Sequence, residues 1–417
     1  MLTGVERPTK GFGSARAAMD MNDDVLGLVL ERVGSYASLI RAAAVCRRWR
    51  RAIADAAFLR RYRSLHAPAA VAGYYHNGYL PDWRKGGAGA PLFVPSSPRV
   101  VDPRRFSLDF IPGGAWDVKD SRGSLLLLMA SPFATASVPF GSRDHLVCEP
   151  LTRRYKRIPF PPPGLDHSCR FLESYLLDGE ANEEHGLKIS MSNFRVLCTF
   201  SRGVGVATHA VVFAVNSPWS EKSIDHIAPN SVLSRLLGRG GGSWYFYGGD
   251  NVLIKLDGST GEFSSSVLPA IEDWDVLISR YKCFVTDSRD GKPRIFAVVD
   301  GTMKVYARLD GADWALYKSV LLSEATRRLR AYQPSAFSLD PIVRTRGCGF
   351  VVLYPQFLMT WPFSIDLETM DTAPVACEMG EMVYRCELPT AMAAYFARRS
   401  LIEARAFNLQ VDGVDTR

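Results

Sequence analysis

The stretch GSWYFYGGDNVLIKLDGSTGEFSSSVLP, residues 242–269, carries the pattern that decides the fold of most of this chain. Two apolar runs suited to β-strands are followed by a turn at Asp257-Gly258 and a polar outgoing segment that ends in Leu-Pro. An apolar first strand, a hairpin and a more polar outer strand cannot bury a core alone. Units of this kind therefore stack around an axis or pack as sheets.

The same order of features recurs along the chain. It is seen in GSLLLLM and DHLVCEPLTRRYKRIPFPPP (123–129 and 144–163), and in GCGFVVLYP and WPFSIDLETMDTAPV (347–355 and 361–375). Further strand-rich groups lie at 194–200, 209–224 and 294–322. If every group counts as a unit, the period of roughly 40 to 50 residues predicts a β-propeller of about six blades. The weak periodicity also permits another blade count or a less regular β domain.

Composition indicates a globular protein without a membrane span. The 417 residues are 47% hydrophobic and 22% charged, which suits two or three domains, and the net charge of +7 is a modest excess for this length. The eight cysteines contain no C-x-x-C pair, so we expect reduced thiols in the cytoplasm or nucleus. Residues 1–20 lack the apolar core of a secretory signal, and the apolar run at 125–130 is too short to cross a bilayer.

The N-terminal region predicts three short helices. The stretch MNDDVLGLVLERV (21–33) places four apolar residues at helical spacing, namely Val25, Leu28, Val29 and Val33. Gly34 can end this helix and Ser35 can begin a second, which carries Leu39. A third helical stretch buries Trp49 and Ile53, and we expect most of its flanking arginines to face solvent.

Residues 21–59 resemble an F-box, the helical module through which substrate receptors dock on the Skp1 adaptor of cullin-RING ubiquitin ligases. The resemblance is carried by the order of Asp24, Val25, Val29, Leu30, Val33, Leu39, Val45, Cys46, Arg47, Trp49, Asp55 and Leu59. The family usually opens with Leu-Pro, where this chain has Met21-Asn22. The resemblance implies that seven residues divide between the small core and the adaptor-facing surface: Met21, Val25, Val29, Leu39, Val45, Cys46 and Trp49.

The implied function is that of a non-catalytic substrate-recognition subunit of a Skp1-cullin-F-box ligase. Its partners would be a Skp1-like adaptor, through it a cullin, and a target protein that the sequence does not identify. A ligase-independent interaction scaffold is the alternative. Association with nucleic acid is a weaker third possibility, for which we expect only salt-sensitive, non-specific binding.

The predicted architecture is therefore α+β and multidomain. Residues 1–20 are expected to be a disordered leader, 21–65 the F-box helical domain, 66–95 a linker and loop, and 96–417 a β-propeller-like domain with a short C-terminal helical segment. The β region is similar to the F-box-associated propeller and kelch-like regions of plant F-box proteins. A strand from 378–387 that closes onto an N-terminal strand is an additional possibility.

No motif predicts enzyme chemistry, a cofactor or a metal site. LLGRGGGSWYFYGG (236–249) lacks the ending of a phosphate loop and is interpreted as a flexible inter-blade loop. The run Asp166-His167-Ser168-Cys169 is too local to form a catalytic triad, and the seven histidines have no metal-ligand spacing. The basic clusters at 153–157 and 327–330 are interpreted as solvated faces, with an acidic or phosphorylated partner as the alternative. Loops at 83–91, 239–247 and 354–361 are candidates for target binding.

Overall fold

A computed structural model of the chain shows short helices followed by a mainly β domain. The described residues are 22–33, 39, 42–43, 45–65, 71–79, 88–96, 101–113, 115–131, 144–159, 169–179, 189–202, 208–222, 235–269, 273–280, 282–288, 291–308, 313–329, 342–347, 349–355, 362–375 and 383–387. The helices near the N-terminus belong to one compact unit and residues Val71–Pro389 form another. The predicted leader, Met21 and the predicted C-terminal helical segment lie outside the described residues.

Three helices of the first unit have described bounds: α1 (Asp23–Glu31), α2 (Arg47–Ala54) and α3 (Ala56–Leu65). Each begins at a side chain that accepts a hydrogen bond from the first turn. The Asn22 side chain accepts from the Asp24 N–H, Cys46 Sγ accepts from the Trp49 N–H at 3.5 Å, and Asp55 Oδ1 accepts from the Phe58 N–H at 2.8 Å. These caps explain why helices form so close together in sequence.

The core of the first unit is small and aromatic at one end. Its buried side chains are Leu26, Leu30, Leu39, Ala43, Ile53, Phe58 and Tyr62. The rings of Phe58 and Tyr62 stack with centroids 5.9 Å apart, and the Tyr62 hydroxyl donates to the Val33 carbonyl. Helices of this length are marginal alone, so this packing supplies their stability.

The second unit consists of antiparallel sheets, which we call blades 1 to 6. The strands of each blade are given from the innermost to the outermost. Blade 1 is β3 (Trp116–Arg122), β4 (Leu125–Ala130), β5 (His145–Glu149) and β6 (Arg154–Ile158); blade 2 is β7 (Cys169–Leu177), β8 (Arg195–Arg202), β9 (Thr208–Ala214) and β10 (Ser217–Lys222); blade 3 is β11 (Arg235–Gly240), β12 (Ser243–Tyr247), β13 (Val252–Asp257) and β14 (Phe263–Val267). Blade 4 is β15 (Cys283–Asp287), β16 (Pro293–Val299), β17 (Thr302–Arg308) and β18 (Trp314–Leu321); blade 5 is β19 (Ile342–Gly347), β20 (Phe350–Tyr354), β21 (Phe363–Asp366) and β22 (Thr372–Pro374); blade 6 is β23 (Val383–Glu387), β1 (Val71–Tyr79) and β2 (Ala88–Pro95). Short helices α4 (Trp274–Ser279) and α5 (Leu322–Ala325) and a 3-10 turn (Pro103–Phe106) lie between strands.

The blades form a ring that is closed by the last described strand. Inner strands of neighbouring blades contact each other at β3 and β7, at β11 and β15, and at β15 and β19, and β23 contacts both β3 and β19. In blade 6, β23 pairs antiparallel with β1, so that Tyr75 lies opposite Tyr384 and His76 opposite Val383. The possibility of a closing strand within 378–387 is confirmed. The six blades confirm the predicted propeller class.

The chain is ordered into strands where a linker and loop were predicted over residues 66–95. Both β1 and β2 lie in this range. The sequence pattern misses them because their glycines resemble a loop, whereas a Cβ at Gly73 would meet the Val94 carbonyl oxygen at 2.3 Å. Glycine at this position therefore permits the close approach of β1 and β2.

The glycine-rich stretch at 236–249 is also a hairpin within blade 3, and its interpretation as a flexible inter-blade loop is wrong. It forms β11, a turn and β12. Gly238 pairs in parallel with Val285 of blade 4, which joins the two blades into one eight-stranded sheet. A Cβ at Gly238 would lie 2.0 Å from the Val285 carbonyl oxygen, so the glycine serves close packing between blades.

Hydrophobic clusters fill the spaces between neighbouring blades. One cluster joins Tyr175 and Leu197 of blade 2 to Phe246 and Ile254 of blade 3. Comparable clusters join blades 1 and 2, blades 3 and 4, and blades 4 and 5. Because the second strands of blades 1 and 3 are covered on both faces, β4 and β12 are continuous apolar runs without polar alternation.

The turn that recurs in the sequence also recurs in the structure, where it follows the third strand of blades 1, 3 and 5. In blade 3 the Asp257 Oδ1 atom accepts the N–H groups of Ser259 and Thr260, and in blade 5 Asp366 accepts those of Glu368 and Thr369. Four residues after each acidic residue, the backbone has a positive φ, at Arg153, Gly261 and Met370. The short acidic side chains therefore fix the same tight turn in two blades.

A buried ion pair ties blade 1 to blades 2 and 3. Arg122 Nε lies 2.5 Å from Asp178 Oδ1, Nη2 lies 2.8 Å from Oδ2, and Nη1 donates to the Gly242 carbonyl at 2.7 Å. Only 10% of the Arg122 side chain and 7% of the Asp178 side chain are exposed. Burial alone lowers the pKa of Arg122, but the hydrogen bonds and charge of Asp178 outweigh it and raise that pKa.

We expect Asp178→Ala to lower the free energy of unfolding of the β domain by about 3 to 5 kcal/mol, because it leaves the Arg122 guanidinium buried without its counter-ion. Urea unfolding monitored by tryptophan fluorescence measures the change. The matched control is Asp144→Ala, which removes the exposed Arg157–Asp144 pair and should cost less than about 1 kcal/mol. Equal losses in the two variants would contradict a special role for the buried pair.

Candidate functional site

Helix α1 has apolar residues on two faces, and only one of them is buried. Leu26 and Leu30 are fully buried in the helical core. Val25, Leu28 and Val29 are 47%, 57% and 45% exposed, and the i, i+3, i+4 spacing places them on one stripe. The apolar stripe identified from the helical spacing in the sequence therefore faces solvent. The side chains of α1 that pack in the core are Leu26 and Leu30.

A fourth exposed apolar residue precedes α2. Val45 is 67% exposed, directly before the Cys46 cap. We call Val25, Leu28, Val29 and Val45 the exposed apolar surface. Single exposed apolar residues are ordinary, but three at helical spacing beside a buried core make this surface a candidate for contact with a partner.

Two arginines of α2 hold the helices together and two face solvent. Arg48 Nε lies 2.8 Å from Asp23 Oδ1, which connects α2 to the start of α1, and Arg50 Nε donates to the Ala43 carbonyl at 3.2 Å. Arg47 and Arg51 are exposed. The expectation that most of these guanidinium groups face water holds for Arg47 and Arg51, while Arg48 and Arg50 have structural partners.

The structure separates the seven sequence-predicted adaptor residues into groups. Val25, Val29 and Val45 are exposed, and Leu39 is fully buried in the core. Cys46 and Trp49 are half-buried at the start of α2, and Met21 lies outside the described residues. Leu28 was missing from the predicted set, although its spacing of three residues from Val25 places it on the same stripe.

Residues 23–65 match the F-box-like family model. The match spans α1, α2 and α3, so the F-box-like domain coincides with the described helices of the first unit. It includes the whole exposed apolar surface and ends before β1. A search of curated proteins finds no match to this chain.

Solved structures similar to the chain include several β-propellers. The β-propeller domain of Cps50 (Swd1) from Myceliophteria thermophila shares 11% identity and has a TM-score of 0.38, with 78% of this chain and 98% of that chain covered. The lectin of Aleuria aurantia, described as a six-bladed β-propeller, shares 12% identity with a TM-score of 0.33 and covers 77% and 94%. A further similar structure, whose description names no fold, is apo AztD from Citrobacter koseri, which shares 12% identity with a TM-score of 0.29, with 73% of this chain and 69% of that chain covered. At such TM-scores, the blade count rests on the strand pairing of this chain alone.

The candidate loops of the β domain are only partly described. In the 239–247 loop, the aromatic residues Trp244, Tyr245, Phe246 and Tyr247 are buried and pack between blades. Tyr354 is likewise buried, whereas 356–361 and 83–87 lie outside the described residues. Within the structurally described part of these loops, the aromatic side chains are therefore buried and do not form an exposed binding surface.

The basic cluster at 153–157 is largely committed to contacts within the domain. Arg153 lies 2.6 Å from Asp109 and stacks on Phe110, while Lys156 donates to the Val215 carbonyl. Arg157 pairs with Asp144 at 3.1 Å. Arg154, Arg327 and Arg328 are exposed, and Arg330 lies outside the described residues.

The described residues include neither a membrane-spanning helix nor a cluster of metal-binding side chains. Within those ranges, no helix is long and apolar enough to cross a membrane. The same ranges contain no group of three or more His, Cys, Asp or Glu side chains suited to a metal ion. Of the run Asp166-His167-Ser168-Cys169, only Cys169 is described, as the first residue of β7.

Proposed function

We propose that this chain is a substrate-recognition subunit of a Skp1-cullin-F-box ubiquitin ligase. The observation that carries the proposal is the exposed apolar surface inside the F-box-like domain. These side chains are not needed by the core, which Leu26 and Leu30 complete from the other side of α1. A Skp1-like adaptor is the proposed occupant, because docking on that adaptor is what an F-box does.

The proposed division of labour follows from the two units. The F-box-like domain binds the adaptor and, through it, a cullin. The β-propeller captures a target protein, and ubiquitin transfer is performed by other subunits, so the chain itself is a non-catalytic receptor. A closed ring with rigid blades suits this role because it holds binding loops in fixed positions.

The finer assignment concerns the kind of F-box protein. The resemblance of the β region favours a plant-type protein with an F-box-associated or kelch-like propeller. We place it in the cytoplasm or nucleus, where thiols remain reduced. The buried Cys148, Cys198 and Cys283 are all free thiols, and burial raises the pKa of each.

Reconstitution with a Skp1-like adaptor and a cullin tests the proposal. We expect the full chain to co-elute with the adaptor in a 1:1 complex on size-exclusion chromatography and to recruit the cullin only when the adaptor is present. Circular dichroism of the free chain provides the folding control. A folded chain that fails to co-elute with the adaptor would refute the receptor function and favour the ligase-independent scaffold.

A further inference from the structure

The centre of the propeller contains a partly open cavity of about 250 Å³. Five inner strands contribute to its wall: β3, β7, β11, β15 and β23. The wall carries charges of both signs, from Lys119, Asp120, Glu173, Arg239, Asp287, Arg385 and Glu387. Side chains of this kind in a narrow channel are either neutralised by one another or available to a ligand.

Most of these charges are neutralised within the wall. Asp120 lies 3.0 Å from Arg239 Nη1 and also accepts the N–H groups of Ser121 and Leu176, at 2.8 and 2.7 Å. Arg239 also stacks on Trp244, with 5.4 Å to the ring centroid. Arg385 Nη2 lies 3.1 Å from Glu387 Oε1. These groups are therefore structural parts of the channel.

Two side chains of opposite charge in the wall, Lys119 and Asp287, form no salt bridge with a described residue, and the three arginines whose charges act on Asp287 each pair with another carboxylate. Lys119 makes no side-chain hydrogen bond or ion pair there. Asp287 accepts one hydrogen bond, from the Gly241 N–H to Oδ1 at 2.6 Å, and its second carboxylate oxygen accepts none from described residues. Burial raises the pKa of Asp287, against the opposing charges of Arg239, Arg385 and Arg122.

Lys119 and Asp287 lie on opposite sides of the channel. Lys119 is on β3 of blade 1 and Asp287 on β15 of blade 4, which is three blades away in a ring of six. A β-bulge places Lys119 as the extra residue between Val118 and Asp120, where the register with β4 shifts. Bulges turn side chains out of their regular alternation, so Lys119 reaches the cavity beside Asp120.

We propose that the central channel binds a small dipolar ligand, whose ammonium group lies on Asp287 and whose carboxylate lies on Lys119. An ammonium group supplies the donor that the second Asp287 oxygen lacks, and a carboxylate neutralises Lys119. The cavity volume suits a ligand the size of an amino acid or dipeptide, well below the pockets of drug-sized molecules. The same chemistry is offered by a free zwitterion or by neighbouring basic and acidic side chains of a protein segment.

Isothermal titration calorimetry on the full chain tests this proposal with defined probes. The probes are glycylglycine, its N-acetylated form, its C-amidated form, and the doubly capped peptide acetyl-Lys-Gly-Glu-amide. We expect glycylglycine to bind about tenfold more tightly than either singly capped form, since each cap removes one charge. Tighter binding of the capped Lys-Gly-Glu peptide than of glycylglycine would also support the site and identify a protein segment as the source.

Two charge-removing variants assign each end of the ligand. Asp287→Asn keeps an oxygen for the Gly241 N–H, and Lys119→Gln keeps a side chain of similar length. Asp287→Asn should remove the preference for a free amine, and Lys119→Gln the preference for a free carboxylate, each with about a tenfold loss of affinity. Arg157→Gln is the matched surface control and should change nothing.

Several results would overturn the proposal. One is equal affinity for glycylglycine and its singly capped forms, and another is unchanged affinity in both channel variants. The third is no binding of any probe up to about 10 mM, because a dissociation constant above that value is weaker than specific recognition requires. This inference goes beyond the proposed function and is independent of it. Adaptor co-elution should be the same for the channel variants and the unaltered chain, so a failure of one proposal leaves the other intact.

Discussion

Val29→Glu combined with Val45→Glu is expected to abolish binding of a Skp1-like adaptor, with at least a 100-fold loss of affinity. Both side chains belong to the exposed apolar surface, and they are 45% and 67% exposed in the free chain. Docking would bury two new carboxylates against an apolar partner, which costs several kcal/mol in desolvation and removes two apolar contacts. Adaptor titration by calorimetry measures the loss.

The free protein should tolerate this double change, because neither valine is in the helical core. Thermal unfolding of the variant should match that of the unaltered chain within a few degrees. Arg51→Gln, at an exposed position of α2, is the matched control and should retain binding. Full adaptor binding by the double variant would refute docking through this surface, and unfolding of the helices would show that the valines are structural.

Ending the chain after residue 382 is expected to unfold the β domain. The truncation removes β23, which supplies the inner strand of blade 6 and the partner of β1. It exposes Tyr75 and Ala72, both fully buried, and leaves without partners those N–H and C=O groups of β1 that face β23, while the pairing of β1 with β2 remains. The loss of several kcal/mol is comparable to the whole stability of a typical domain.

A chain that ends after Pro389 is the matched control, since it retains β23. We expect cooperative urea unfolding for this control and a non-cooperative profile with early loss of tryptophan burial for the shorter chain. Limited proteolysis of both provides a second measurement. A shorter chain that unfolds as cooperatively as the control would show that blade 6 is dispensable for the ring.

The sequence predicts the blades that contain contiguous apolar strands and misses the parts that depend on distant partners. The repeat is recognisable because β4 and β12 are buried on both faces, and because Asp257 and Asp366 fix the same turn. Strands β1 and β2 were missed, since their glycines and aromatic residues make sense only beside β23 and beside each other. Gly238 was misinterpreted for the same reason, because its neighbour Val285 belongs to another blade.

The exposed apolar surface of the F-box-like domain shows a similar limit of sequence-based prediction. The order of F-box residues identifies the module, and the family-model match supports it. The sequence cannot divide α1 into its two apolar stripes, because valines and leucines alternate with little polar contrast between 25 and 30. In the channel, the lack of a salt bridge from Lys119 and Asp287 to any described residue becomes visible only once Asp120 and Arg239 are seen to pair across blades.

The closing contact between β1 and β23 has a consequence for how the protein is made. Val71 of β1 pairs with Glu387 of β23, so the ring cannot close until the ribosome has synthesised every blade. At ordinary elongation rates, β23 is synthesised roughly 15 to 60 seconds after β1. The F-box-like helices precede β1 in the chain and emerge first. A nascent chain would therefore display its F-box-like helices while the propeller is still an open, aggregation-prone arc. Under the proposed function, early adaptor capture would coincide with the period when a chaperone is most needed.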